Sequence, residues 1–306
     1  MPASSETRAA LLSAVACYTL WGLMPLLFMG MAAADFTAGE ILAHRAMWAV
    51  LFAGGLVWLA GQKSQAMAVL RNPRTLGWLA LSALLIGINW GVYVWATTHH
   101  ATLEASLGYY INPLLNMVVG LWLFRERIDR WGWAAIGLAA VGVLLQALAL
   151  GRPPWISLIL AFSFGAYGVI RKRVQADAQT GLFFECLLLA PFGLAWVFWI
   201  QMAGGGHGFA SLGGLAWGVF SGFATVIPLA LFAWSARRLP LSTIGFIQFL
   251  APTLQFLVGV LAGEAFTPLR AASFVFIWTG AGVFAAAAAL RARAARTALK
   301  ASAEPA

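Results

Sequence analysis

Charge is nearly missing from this chain. Only 9% of its residues are Asp, Glu, Lys or Arg, against about 25% in soluble domains, which excludes an ordinary globular protein. Cysteine is equally scarce. Cys17 and Cys186 both fall inside apolar runs, which excludes a disulfide framework and reads as small core residues. The patterns HExxH, GxSxG and GxxxxGK[ST] are absent from the sequence, so nothing indicates a zinc hydrolase, a serine hydrolase or direct ATP hydrolysis. No cofactor is implied.

What is present is apolar. The chain is 62% hydrophobic with a mean hydropathy of +0.84, the composition of an integral membrane protein. A net charge of +9 would suggest a nucleic-acid partner in a soluble protein. Here cytoplasmic loops that collect Lys and Arg account for it. Arg outnumbers Lys sixteen to three and Ala and Gly abound, which points to a high-GC bacterial genome and hence to a bacterial cytoplasmic (inner) membrane.

A helix needs about 20 apolar residues to cross a bilayer core of roughly 30 Å. Ten such runs are found: 9–31, 38–60, 76–98, 103–124, 131–150, 154–170, 182–202, 215–236, 241–261 and 271–290. None alternates as a barrel strand would, so the expected fold is all-α with ten transmembrane helices. The first run exceeds the 7 to 15 apolar residues of a signal peptide and is read as an uncleaved span. Sixteen basic residues lie at the termini or in even-numbered loops, two (Arg152 and Arg270) lie in the opposite loops, and Arg45 lies within a span. This bias places both termini in the cytoplasm.

Two segments resemble each other, "SLGYYINPLLNMVVG" from Ser106 and "GFIQFLAPTLQFLVG" from Gly245. An offset of 139 aligns Pro113 with Pro252, Asn116 with Gln255 and Gly120 with Gly259, and "YVWA" from Tyr93 with "FAWS" from Phe232. Trp21 sits best on Tyr167, at an offset of 146. The chain therefore divides into residues 1–150, residues 151–290 and a basic cytoplasmic tail, 291–306. Five spans per half is odd, so the second half enters from the other side. Inverted repeats of this kind place a substrate site near the midplane and expose it alternately to each side.

The polar residues of the spans are the candidates for that site. Asn112 and Asn116 share a face with Gly108 and Gly120, and Gln248 and Gln255 share one with Gly245 and Gly259. Pro113 and Pro252 free the carbonyls of Tyr109 and Gln248. These groups line a cavity or bond helix to helix. Trp21, Tyr167, Asn89, Trp90 and Tyr93 either wall the cavity or pack the core. Glu185 is the lone acid well inside a span, a candidate proton carrier or the partner of a basic loop residue such as Lys172. His44 is a second candidate for coupling.

Arg45 lies about 10 Å along the second helix. It fixes the bundle, lines the cavity to attract an anionic or carbonyl-bearing solute, or snorkels. A different class rests on His44, His99, His100 and Glu104 toward the outer face. His100 and Glu104 are four residues apart and would share a helical face if the helix began early enough. That grouping would suit a membrane hydrolase or transferase with a His/Glu metal site, although no second cluster supports it.

"TLWG" (from Thr19), "HRAMWAVL" (from His44) and "LFRERIDRWGWAAIGLAAVGVLL" (from Leu123) resemble the EamA branch of the drug/metabolite transporter superfamily. "EILAHR", "HHATLEASLGYYINPLLN", "AFSFGAYGVIRK" and "LSTIGFIQFLAPTL" are similar to its RarD-type permeases, the so-called chloramphenicol-sensitivity group. The resemblance runs from Leu11 to Leu290. It implies a ten-helix permease with peripheral fifth and tenth helices and eight helices around a central cavity. It also implies an arginine at position 45 with a shared task, and acids at Glu126 and Glu264 that cap or bridge the next turn. The expected function is transport of a small organic solute by alternating access, possible substrates including an amino acid or chloramphenicol. The partners are that solute and the bilayer, and the chain could work as a monomer or as a homodimer through its Ala-rich fifth and tenth spans with Gly137 and Gly142.

Overall fold

The computed structural model describes residues 5–124, 130–236, 238–239, 244 and 247–301, with the side chains at 113–114, 116–124, 172, 236, 288–289 and 291–301 outside the description. Among the described residues the chain is all-helical. The helices are α1 (Ser5–Ala33), α2 (Ala38–Leu59), α3 (Lys63–Leu70), α4 (Pro73–Thr98), α5 (Thr102–Phe124), α6 (Arg130–Leu150), α7 (Trp155–Arg173), α8 (Ala178–Met202), α9 (Leu212–Ala236), α10 (Leu250–Leu261) and α11 (Pro268–Ala301). Local chemistry sets their ends. Thr37 caps α2 by accepting the Glu40 N–H, and Asn72 caps α4 by accepting the Thr75 N–H just ahead of Pro73. Beyond α2 and α10 the chain turns through a left-handed residue that glycine supplies, at Gly61 (φ 68°) and Gly263 (φ 80°).

Seven of these helices are long and apolar enough to cross a membrane: α1, α2, α4, α6, α8, α9 and α11. Many of their large apolar side chains face outward, among them Leu12, Leu51, Phe192, Phe198 and Leu144, as a lipid-facing surface requires. Two elements differ from the sequence expectation. The loop after the second span holds a short helix, α3. The ninth span is not one continuous helix over its described part. Gln248 and Phe249 form a turn and α10 begins at Leu250, because Pro252 has no N–H to offer the carbonyl of Gln248.

Small residues let the helices cross closely. The main packing pairs are α2 with α8 and α9, α1 with α9 and α10, α7 with α4 and α5, α4 with α8, α5 with α10, and α6 with α11. In the last pair a Cβ on Gly142 would lie 2.9 Å from the Ser273 carbonyl oxygen. Gly280 approaches the Ala135 carbonyl in the same way. Gly142 therefore packs within the monomer, whereas Gly137 meets nothing within 4 Å. Gly193 of α8 rests on the carbonyl of Ala43 in α2, and Gly22 of α1 on Ala251 of α10.

Candidate functional site

The sequence candidates fall into three groups. The first surrounds Arg45, which is only 5% exposed. Its Nε donates to Thr225 Oγ1 of α9 at 2.9 Å. Its guanidinium lies 4.3 Å from the Trp90 ring centroid and 5.3 Å from that of Phe28. Tyr93, one turn beyond Trp90, stacks edge-on against Tyr109 at 5.5 Å and against Phe28 at 6.0 Å. Asn89 is fully used. Its amide N–H2 donates to the Leu160 carbonyl and to Ser163 Oγ, and its oxygen accepts from the Tyr109 hydroxyl, each at 3.0 Å. Asn89 thus ties α4 to α5 and α7. Other atoms here are left over: Arg45 Nη1 and the Tyr93 hydroxyl are buried without a hydrogen-bond partner among the described residues, as is Asn112 Oδ1, one turn beyond Tyr109.

The second group is separate and centres on Glu185 of α8. Its carboxylate accepts from the Ser82 hydroxyl of α4, from the Tyr167 hydroxyl at 3.2 Å, and pairs with Arg171 Nε at 3.6 Å. The basic partner is therefore Arg171, one residue before the Lys172 suggested from sequence, and one residue on a helix changes the face by about 100°. The third group is Trp21 with Gln255. The indole packs between Tyr18 and Phe232, and Gln255 donates to the Trp21 carbonyl at 3.3 Å. Gln248 lies half-buried in the turn before α10. The side chains of Asn116 and Pro113, and residues 125–129 with Glu126, lie outside the described residues, as does Gly245.

The end of the bundle opposite the basic loops is held by carboxylates. Glu264 follows α10 and accepts the Thr102 and Leu103 N–H groups at the start of α5, at 2.5 and 2.9 Å. It caps another helix rather than its own turn. Glu104 takes Arg152 at 2.9 Å and the Ile156 N–H at 3.2 Å. Glu40 takes the His207 and Gly208 N–H groups at 2.6 and 2.8 Å. Buried His44 accepts the Trp48 indole N–H at 3.2 Å, and its Nε2 stands 4.0 Å from Glu40. His100 is not on a helix with Glu104. It sits in a left-handed turn (φ 54°), two residues before α5 begins. No group of three His, Cys, Asp or Glu side chains among the described residues could hold a metal ion. The hydrolase reading finds no support in this geometry.

The EamA-like transporter family matches residues 8–148. Protein RarD of Streptomyces exfoliatus is 40% identical over 308 residues, covering 99% of this chain and 96% of that protein. The chain belongs to the EamA-like transporter family, in its RarD-type branch. An uncharacterized transporter of Vibrio cholerae is 38% identical to this EamA-like transporter, over 92% of the one and 94% of the other. One crystal structure shares the fold at a TM-score of 0.54 and 21% identity, over 93% of this chain and 98% of that one.

Thr225, Phe28, Ser82 and Arg171 join the sequence candidates in this multi-pass membrane protein. A hydroxyl or a phenyl ring in an apolar span carries no signal of its own. Arg171 was visible as a charge at a helix end, but its facing was not.

Proposed function

We propose that this EamA-like transporter moves a small organic solute by alternating access, through ten spans arranged as two inverted halves. The helix-packing pattern supports the halves. With α1, α2, α4, α5 and α6 matched in order to α7, α8, α9, α10 and α11, the main contacts between the halves have counterparts: α1–α9 with α7–α4, α1–α10 with α7–α5, and α2–α9 with α8–α4. The pairs α2–α8, α5–α10 and α6–α11 map onto themselves. Arg45 and Glu185 are each the eighth residue of matched helices. The charge bias of the loops supports cytoplasmic termini in a bacterial inner membrane.

The observation that carries the reading is the Arg45 group, where α1, α2, α4, α5 and α9 converge on buried donors left without partners. Solute contacts fall to Arg45, Tyr93, Trp90 and Tyr109. Trp21, Asn112, Gln248 and Gln255 extend the lining toward α10, Asn116 is assigned to it from the sequence alone, and Asn89 and Tyr167 orient their neighbours. Glu185 is the group to carry a coupling proton, with His44 the second. Purified protein in liposomes, with and without an imposed pH gradient, tests this with pooled labelled amino acids, related metabolites and chloramphenicol. Gradient-driven, saturable uptake that disappears in Glu185→Gln is the expected result. Equal uptake with and without the gradient makes the protein a facilitator and Glu185 structural. Absence of saturable flux from every pool refutes the transport reading.

A further inference from the structure

Buried carboxylates in this bundle all find their complement within the chain. Among the described residues Glu185 meets Arg171, Glu104 meets Arg152, Glu40 takes His207 with two backbone N–H groups, and Glu264 takes two more. Arg45 has no acid. Of its three guanidinium nitrogens only Nε has a hydrogen-bond partner among the described residues, the neutral Thr225. Trp90 and Phe28 cover the guanidinium, and on its remaining edge Nη1 is buried without a partner among the described residues. Tyr93, on the face of α4 that carries Trp90, holds a second donor without a partner. A buried cation stripped of its counter-charge is a strongly destabilising arrangement, and in a membrane span it marks a functional site.

We infer that the missing counter-charge arrives with the solute, and that the solute class is small organic acids whose carboxylate is bound by Arg45 and Tyr93. This deepens the transport reading above and rests on it. The chemistry favours a carboxylate over other anions. The free edge of a guanidinium presents two parallel N–H bonds in one plane, which match the two oxygens of a carboxylate. The Tyr93 hydroxyl supplies one more donor. A phosphate monoester would bring a second negative charge, and no second cation faces this site among the described contacts of Arg45 and Tyr93. Beyond the donors the walls are Phe28, Tyr109 and Trp21, which suit an apolar or aromatic body. The unpartnered amide oxygen of Asn112, one turn beyond Tyr109 on α5, adds an uncharged acceptor for an amino or hydroxyl group, so amino and hydroxy acids fall within the class.

The test compares acids with their neutral isosteres. The purified full chain in detergent, in chloride-free buffer, is titrated with aliphatic, aromatic, amino and hydroxy acids, each paired with its primary amide, and with chloride alone. Binding is read from tryptophan fluorescence and thermal stabilisation. The expected result is at least about tenfold tighter binding of an acid than of its amide. That ratio falls in Tyr93→Phe, which keeps the ring packing, and in Arg45→Lys, which keeps the charge but loses the planar edge. Equal binding of acid and amide overturns the inference, as does a chloride effect as large as that of any acid, or no binding by any acid. The two readings fail separately. Amides carried across liposomes as well as acids sink the inference and leave transport standing. Acids that bind with this ratio but never cross support the site and sink transport.

Discussion

Glu264 offers a prediction whose size follows from geometry. Its carboxylate, 7% exposed, accepts the N–H groups of Thr102 and Leu103 at 2.5 and 2.9 Å. Neither residue has solvent to turn to, and both N–H groups lie in the first turn of α5, where no intrahelical acceptor exists. A hydrogen bond to a charged group contributes about 1.5–3 kcal/mol net, and a buried donor left unpaired costs about 1–3. The positive end of the helix adds up to about 1 kcal/mol for a negative charge. Glu264→Ala should therefore lose about 3 kcal/mol or more. Glu264→Gln should lose about half of that, because its amide oxygen serves one N–H while its NH2 faces the other. Reversible unfolding in mixed micelles, followed through the fifteen tryptophans, measures both. An alanine variant within about 0.5 kcal/mol of the parent, or a glutamine variant as damaged as alanine, would refute the capping argument. The consequence reaches the site, since α5 also carries Tyr109 and Asn112.

Two further pairs of substitutions test the packing and the support of Arg45. Gly142→Ala places a Cβ 2.5 Å from Ile277 Cγ1 and should cost about 1–3 kcal/mol by overpacking, while Gly137→Ala, with open space around it, should gain up to about 1 kcal/mol of helix propensity. The same unfolding assay decides, and equal effects at the two glycines would contradict the α6–α11 crossing. Thr225→Val should cost about 1–3 kcal/mol, because it strips Arg45 Nε of its acceptor. Thr225→Ser keeps that oxygen and should stay within about 1 kcal/mol of the parent. A valine variant as stable as the parent would show that the hydrogen bond contributes nothing there, since valine keeps the methyl group and loses only the hydroxyl.

Much of this was legible in the sequence, and the boundary between what was and was not is physical. Long apolar runs announce helices because the bilayer demands about 20 residues at 1.5 Å each, so α1, α2, α4 and α8 begin and end near their expected limits. The eight residues of α3 carry too little apolar surface to register. Arg45 stood out because a charge inside a span is rare. Its partner did not, because Thr225 lies 180 positions away and reads as one more small residue. Glu264 was expected to serve its own turn and instead caps a helix 161–162 residues upstream. Only the folded packing of α10 on α5 creates that contact.

The contrast between Arg45 and Glu185 bears most directly on function. Both are buried, both are the eighth residue of their helices, and those helices pack against each other. Their surroundings diverge. Glu185 is held by two hydroxyls and an arginine, so exchanging its proton must rearrange α4, α7 and α8 together. Arg45 is held by one hydroxyl and aromatic faces and keeps a buried donor, Nη1, without a partner among the described residues. A proton-coupled carrier needs both kinds of site, one that a ligand completes and one whose ionisation moves helices. On the function proposed above, the solute is assigned to Arg45 and the coupling proton to Glu185. The double variant Arg45→Lys with Glu185→Gln should then lower acid selectivity and remove gradient dependence as two separable losses, each equal to that of its single variant.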